Sequence, residues 1–120
     1  MNIEDFRDYC LSLPSATEET PFGPDTLVFK VGGKIFALTD LQTFASVNLK
    51  CEPERATELR EQHNYVLPGF HMNKKHWNTV LIGAGAPDAA VRAWTAESYQ
   101  LVAAALPKAA RAELARALEE

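Results

Sequence analysis

The fold is decided by residues 26–50, which read TLVFKVGGKIFALTDLQTFASVNLK. Apolar and polar residues alternate at 26–31, at 34–39 and at 44–50, and a period of two is typical of half-buried strands. The first two runs flank Gly32 and Gly33, which form a two-residue hairpin loop. The segment therefore predicts three consecutive antiparallel strands.

A two-residue loop also predicts which residues of the hairpin lie opposite each other. The expected pairs are Val31 with Lys34, Phe29 with Phe36, Leu27 with Leu38, and Thr39 with Phe44 in the next strand. These pairs place one apolar row on the inner side of the sheet: Leu27, Phe29, Phe36, Leu38, Ala45, Val47 and Leu49. The outer side then carries a mixed row: Val28, Lys30, Ile35, Ala37, Ser46, Asn48 and Lys50.

Helices are predicted on both sides of this segment in the chain. Asn2 caps a helix that Pro14 ends, Pro53 begins a second, Asp88 caps a third, and Pro107 separates the third from a fourth that ends at Leu118. The inward positions of the last three are Ala56, Leu59, Val91, Trp94, Ser98, Leu101, Val102, Ala105, Leu114 and Leu118. Short strands are predicted at 17–21 and 78–82, and residues 65–71 read as extended.

The predicted order is therefore α–β–β–β–β–α–β–α–α. Such an order indicates an α+β fold, a two-layer sandwich in which helices cover one face of an antiparallel sheet. The chain of 120 residues is long enough for one domain, which we expect to span 1–120.

Composition narrows the class of protein further. The formal net charge is −4, which argues against a generally basic protein that coats nucleic acid. The longest apolar runs are far shorter than the ~20 residues of a spanning helix, and the acidic start does not resemble a signal peptide. We therefore expect a cytoplasmic protein without a membrane partner, with Cys10 and Cys51 reduced.

Five blocks of the sequence form a recognisable series. They are PFG at 21–23, FKVGGKIFA at 29–37, VNLKC at 47–51, LPGFHMNKKHWNTV at 67–80 and SYQLV at 98–102. In this order they resemble the MmcQ/YjbR family. The resemblance implies a small bacterial protein with a CyaY-like, or secretion-chaperone-like, fold. It also implies DNA binding through a double-wing arrangement of hairpins, and it brings no catalytic residues with it.

Two basic segments are the candidate binding sites on this acidic chain. Lysine supplies charge to phosphates and asparagine can donate to phosphates or base edges. The candidate residues for nucleic acid or another anion are Lys30, Lys34, His71, Asn73, Lys74, Lys75 and His76. The alternative is that Trp77 is a core residue, that its polar neighbours shape a turn, and that the lysines are solvated surface.

Enzymatic and metal chemistry find little support in the sequence. Cys51, His63, His71 and His76 match no zinc spacing, and no phosphate-binding glycine loop is present. We therefore expect no enzyme, no cofactor and no metal. The alternative function is a protein-interaction adaptor or chaperone-like module. Its open sheet face, with Val28, Ile35 and Ala37, would receive a peptide, a protein partner or a second copy.

Overall fold

The structure is a computed structural model that describes residues 1–70 and 72–119, with side chains through residue 118. These residues form four helices and one antiparallel sheet of six strands in the order β1-β2-β3-β4-β6-β5. The elements are α1 (Ile3–Ser12), β1 (Thr17–Glu19), β2 (Thr26–Val31), β3 (Lys34–Asp40), β4 (Ser46–Lys50), α2 (Pro53–Gln62), β5 (Val66–Pro68), β6 (Trp77–Leu81), α3 (Asp88–Ala104) and α4 (Lys108–Glu119). The α+β class is confirmed, and β5 adds one edge strand to the predicted order.

The starts of α1, α2 and α3 lie at or next to the residues that the sequence predicts. Asn2 caps α1 as predicted, because its side chain accepts a hydrogen bond from the Asp5 backbone N–H at 2.8 Å. Pro53 begins α2. The prediction for α3 is wrong by one residue, since Pro87 is the cap and Asp88 is the first helical residue. The carboxylate of Asp88 instead accepts a hydrogen bond from the Met1 ammonium at 3.0 Å.

The hairpin turn forms where the two glycines predict it. Val31 pairs with Lys34, and Gly32 and Gly33 have φ values of 57° and 80°. A side chain strains a backbone with positive φ, so glycine suits both turn positions. The predicted pair next to the turn is therefore confirmed.

Beyond the first two pairs, the predicted register of the hairpin is wrong. A β-bulge shifts the pairing, so that Phe29 lies opposite Ala37 and Leu27 lies opposite Thr39. The bulge gives β3 one extra residue, Phe36, against β2. Phe36 and Ala37 consequently both belong to the core on the helix side.

Because of the bulge, two residues of β3 lie on the opposite face of the sheet from the one predicted. Ala37, expected on the outer side, is buried in the core, whereas Leu38, expected inside, pairs with Val28 and Asn48 on the outer side. Physically, the extra residue reverses the alternation for the rest of β3. The outer face is therefore less open and differently composed than the sequence predicts.

The connection between β3 and β4 is longer than predicted. Thr39 pairs with Val47 and not with Phe44, which has a positive φ of 44° in the loop. Ala45 is exposed, while Val47 and Leu49 face the core as expected. Because of this loop, β4 begins at Ser46 and not at Phe44.

The core lies between the sheet and the helices. A chain of aromatic contacts crosses it, with ring centroids 5.7 Å apart for Phe6–Phe29, 6.4 Å for Phe29–Phe36 and 5.3 Å for Phe36–Tyr99. This chain joins α1, the hairpin and α3 into one apolar cluster, which is the two-layer arrangement that the pattern predicts.

The ends of the last two helices depart from the predicted apolar stripe. Leu114 packs partly against the core, but Leu118 is 62% exposed and Ala105 caps α3 at the surface. Leu106 between the two helices is buried, whereas most of the described side chains of α4 are exposed. Within the described ranges, no helix combines the length and the apolar character that a bilayer crossing requires.

Candidate anion-binding cleft at the open end of the sheet

A cleft begins where the hydrogen-bond ladder between β3 and β4 ends. The last pair is Ala37 with Leu49, although β3 begins three residues earlier and β4 runs on to Lys50. The buried hydroxyl of Ser98 takes the place of the missing strand pairing. Ser98 Oγ donates to the Phe36 carbonyl at 2.6 Å and accepts from the Lys50 N–H at 2.8 Å. The helix thereby joins two strand ends that do not pair with each other.

The cleft has a volume of about 450 Å³ and joins the outer face of the sheet to the helix layer. Its lining residues come from the hairpin, β4, the segment before β6 and the end of α3. They are Lys30, Gly33, Lys34, Ile35, Lys50, Met72, Trp77, Val102 and Ala105. We call this site the open-end cleft.

Three lysines give the open-end cleft a single sign of charge. Among the described residues, its lining contains Lys30, Lys34 and Lys50 and no acidic side chain. Lys30 forms an ion pair with Glu19 on the neighbouring strand. Within the same ranges, Lys34 and Lys50 take part in no ion pair, so their ammonium groups are available to an anion.

The rest of the cleft is apolar. Ile35 and Met72 are half-buried, while Trp77 and Val102 are only 9% and 4% exposed. Trp77 is thus a wall residue with little surface for stacking, in line with the alternative of a core tryptophan. The cleft therefore combines positive charge with apolar surface.

The remaining candidates of the second basic segment form a turn before β6. The Asn73 side chain accepts from the Lys75 N–H at 2.9 Å, and the Asn73 carbonyl accepts from the His76 N–H at 3.2 Å. The Lys74 ammonium donates to the Gly69 carbonyl at 3.2 Å. These contacts shape the turn itself. The candidate His71 lies outside the described residues.

Lys75 lies in a different place from the cleft lysines. It lines a shallow depression with Glu54, Glu58 and Arg60 of α2. The structure therefore brings Lys30, Lys34 and Lys50 together with Met72 and Trp77 of the second segment, but it separates Lys75 from them.

Arg60 anchors this turn, and the sequence offered no clear sign of its role. Its guanidinium donates to the Lys74 carbonyl at 3.0 Å, to Asn78 Oδ1 at 3.4 Å and to Thr57 Oγ1 at 3.2 Å. Lys50 was not among the predicted binding residues either, although its predicted place on the outer side of the sheet, shared with Lys30, could have indicated it. Ser98 and Ala105 were expected on the inward face of α3, but the bonds of Ser98 to Phe36 and Lys50 and the place of Ala105 at the cleft depend on the tertiary structure.

The hairpin loop is held against the helix layer. A Cβ atom at Gly32 would lie 2.6 Å from Cδ1 of Leu106, so the turn touches the α3–α4 junction directly. Leu106 is buried, so its side chain would have to shift within packed surroundings. The hairpin tip therefore does not project freely as a wing does.

The middle of the outer face is covered by the chain after β5. The Phe70 N–H donates to Thr79 Oγ1 at 2.9 Å, and Thr79 Oγ1 donates to Asn48 Oδ1 at 2.5 Å. Thr79, which takes part in both bonds, is buried. Val28, which we expected on an open face, is buried as well. Phe70 itself is 45% exposed.

The cysteines do not contribute a reactive group. Both are free and buried, and burial raises the pKa of the Cys10 thiol. Burial, aided by the nearby carboxylate of Glu97, also raises the pKa of Cys51. A thiol with a raised pKa is a poor nucleophile. Among the described residues, no three His, Cys, Asp or Glu side chains are placed to hold a metal ion.

Fold and cleft together define a class of protein: a small α+β sandwich whose sheet opens at one end around a basic cleft. The chain belongs to the YjbR family, whose family model matches residues 11–101. It is 38% identical to the uncharacterized protein YbdF of Escherichia coli O157:H7 over 88% of this chain and 87% of YbdF. It is 33% identical to YjbR of Escherichia coli K12 over 92% of this chain and 95% of YjbR.

Solved structures show the same fold. The crystal structure of Deinococcus radiodurans protein DR2400, of domain DUF419, superposes with a TM-score of 0.88 at 40% identity, covering 95% of this chain and 88% of that one. A crystal structure of a Pseudomonas syringae protein superposes with a TM-score of 0.72 at 27% identity, covering 85% and 99%. These likenesses support the family and the architecture, and the function must come from the site.

Proposed function

We propose that the protein is a non-enzymatic DNA-binding protein that holds phosphates at the open-end cleft. The observation that carries the proposal is the convergence of Lys30, Lys34 and Lys50 on a chain whose net charge is −4. Lys34 and Lys50 would contact phosphates directly, and Lys30, paired with Glu19, would support them at the rim. The turn at 73–76 would contribute shape, since Asn73 accepts from the Lys75 N–H within the turn and the Lys74 ammonium donates to the Gly69 carbonyl.

Such binding should weaken with salt in a measurable way. Each phosphate neutralised on a single strand contributes about −0.7 to the slope of log K against log salt, and on duplex DNA about −0.9. Two to three lysine contacts therefore predict a slope of about −1.4 to −2.7. The negative charge of the rest of the protein repels DNA, so binding should depend on this one site.

The test is fluorescence-anisotropy binding to labelled DNA across a salt series with two charge-matched variants. The first carries Lys34→Gln and Lys50→Gln, and the control carries Lys75→Gln and Arg92→Gln, which remove the same two charges outside the cleft. We expect the first to lose about tenfold in affinity, or ~1.4 kcal/mol, and the control to lose less than twofold.

The proposal is overturned by any of three results. Equal losses in the two variants mean that binding follows net charge and not the cleft. An affinity that does not change between low and moderate salt means that phosphate contacts are not involved. A loss confined to the control moves the site to the turn beside α2.

A second candidate function is self-association through the outer face. Phe70 is exposed there beside Leu38, over a depression of about 220 Å³. The exposed ring of Phe70 and the half-buried side chain of Leu38 together offer an apolar contact for a partner. Sedimentation velocity at micromolar concentration would show a dimer that Phe70→Asp dissociates. A wild-type monomer at that concentration excludes this function for a second copy.

A further inference from the structure

The size of the open-end cleft suits a small molecule better than the side of a duplex. About 450 Å³ lies within the ~300–1,000 Å³ of ligand pockets. The cleft reaches Val102, which is buried in the helix layer. A ligand that fills it must insert a compact group beyond the surface of the sheet.

The chemistry of the lining specifies two parts of that ligand. The ammonium groups of Lys34 and Lys50 would bind a negatively charged group of the ligand. The side chains of Ile35, Met72 and Val102 would contact an apolar or flat part of it. A phosphate alone would leave the apolar part in contact with water. A nucleotide satisfies both, because its base presents apolar faces and its phosphate carries the charge.

Base pairing decides which form of nucleotide can enter. In a duplex the base faces are stacked and only phosphates and groove edges are accessible. A projecting hairpin could enter a groove, but the Gly32–Gly33 turn is packed against Leu106. An unpaired base is free to leave the stack and enter the cleft.

We propose that the open-end cleft binds one unpaired nucleotide, with the base against Ile35, Met72 and Val102 and the phosphate beside Lys34 and Lys50. This inference rests on the proposed DNA binding and specifies its form. The nucleotide can belong to a single strand or be a free mononucleotide, which share this chemistry.

The first experiment compares four probes at low salt: oligo(dT) of eight nucleotides, a blunt duplex of mixed sequence, dTMP and decanoate. Amide chemical shifts of the labelled protein report both affinity and location. We expect oligo(dT) to bind at least tenfold more tightly than the duplex. We expect dTMP to bind more weakly while shifting the same amides, at Lys34, Ile35, Lys50 and Ala105.

The outcomes separate the two proposals. If no DNA probe binds, the proposed function fails. If the duplex binds as tightly as oligo(dT), DNA binding stands and the unpaired nucleotide is overturned. If decanoate displaces oligo(dT) from these amides at lower concentration than dTMP does, the ligand is an aliphatic anion and the nucleotide is overturned. Shifts confined to the turn at 73–76 also overturn it.

A second experiment fills the cleft without changing its charge. Ala105 is exposed, lines the cleft and ends α3, so Ala105→Leu narrows the cleft without disturbing the core. The matched control is Ala104→Leu, an exposed neighbour that lines a different pocket. We expect Ala105→Leu to weaken oligo(dT) about tenfold and the control to change it less than twofold. Equal affinities for both variants would contradict a base in this cleft.

Discussion

Replacing Ser98 by alanine should destabilise the protein more than any other loss of a single hydroxyl in α3. Ser98 is buried, and its Oγ bonds to two backbone groups, the Phe36 carbonyl at 2.6 Å and the Lys50 N–H at 2.8 Å. Because β3 and β4 do not pair at this point, neither group has another strand to bond to. Ser98→Ala removes the partner of both.

The magnitude follows from the cost of unpaired buried groups. Each such group costs about 1–3 kcal/mol. The hydrogen bond of the Lys50 N–H is only partly buried, so its share should fall near the lower end. We therefore expect the free energy of unfolding to fall by about 2–4 kcal/mol. With a urea m-value of roughly 2 kcal/mol/M, the midpoint falls by about 1–2 M.

The control is Thr95→Val on the same buried side of α3. The Thr95 hydroxyl donates to the Val91 carbonyl at 2.7 Å, one turn earlier in the helix. That carbonyl already accepts a helical N–H, so the valine variant should lose less than about 1 kcal/mol. If Ser98→Ala costs no more than Thr95→Val in urea unfolding, Ser98 does not substitute for strand pairing and our account of the cleft is refuted.

Two further predictions concern the hairpin turn and the cysteines. Gly32→Ala should lower the free energy of unfolding by about 2–3 kcal/mol, since it combines positive φ with a clash against Leu106. Gly33→Ala meets open space and should cost only about 1 kcal/mol, so equal costs in urea unfolding would contradict the contact. Burial raises the pKa of both thiols, so iodoacetamide at pH 7.5 should modify neither cysteine within minutes in the folded protein. Cys51 is slightly more exposed than Cys10 and should therefore react first. Mass spectrometry follows the adducts, and rapid labelling of folded Cys10 would show that it is not buried.

At the candidate site, the sequence predicts the positions of some lysines relative to each other but not of others. Lys30 and Lys34 are close along the hairpin, so their shared position could be predicted from alternation and the turn. Lys74 and Lys75 are adjacent in the chain as well, but they diverge, because the turn directs one ammonium to the Gly69 carbonyl and places the other beside α2. Closeness in sequence identifies a shared surface only where the local geometry is regular.

By itself the sequence determined the elements of this protein and their order, apart from the edge strand β5, and the family to which the chain belongs. The Asn2 cap and the two turn glycines act within a few residues, so their effects are readable without the fold. Only the tertiary structure decided the bulge, which leaves Phe36 in the core against Phe29 and Tyr99 and brings Ala37 to the same side of the sheet. It also decided the open-end cleft, because lining residues from distant parts of the chain meet only when α3 packs on the sheet.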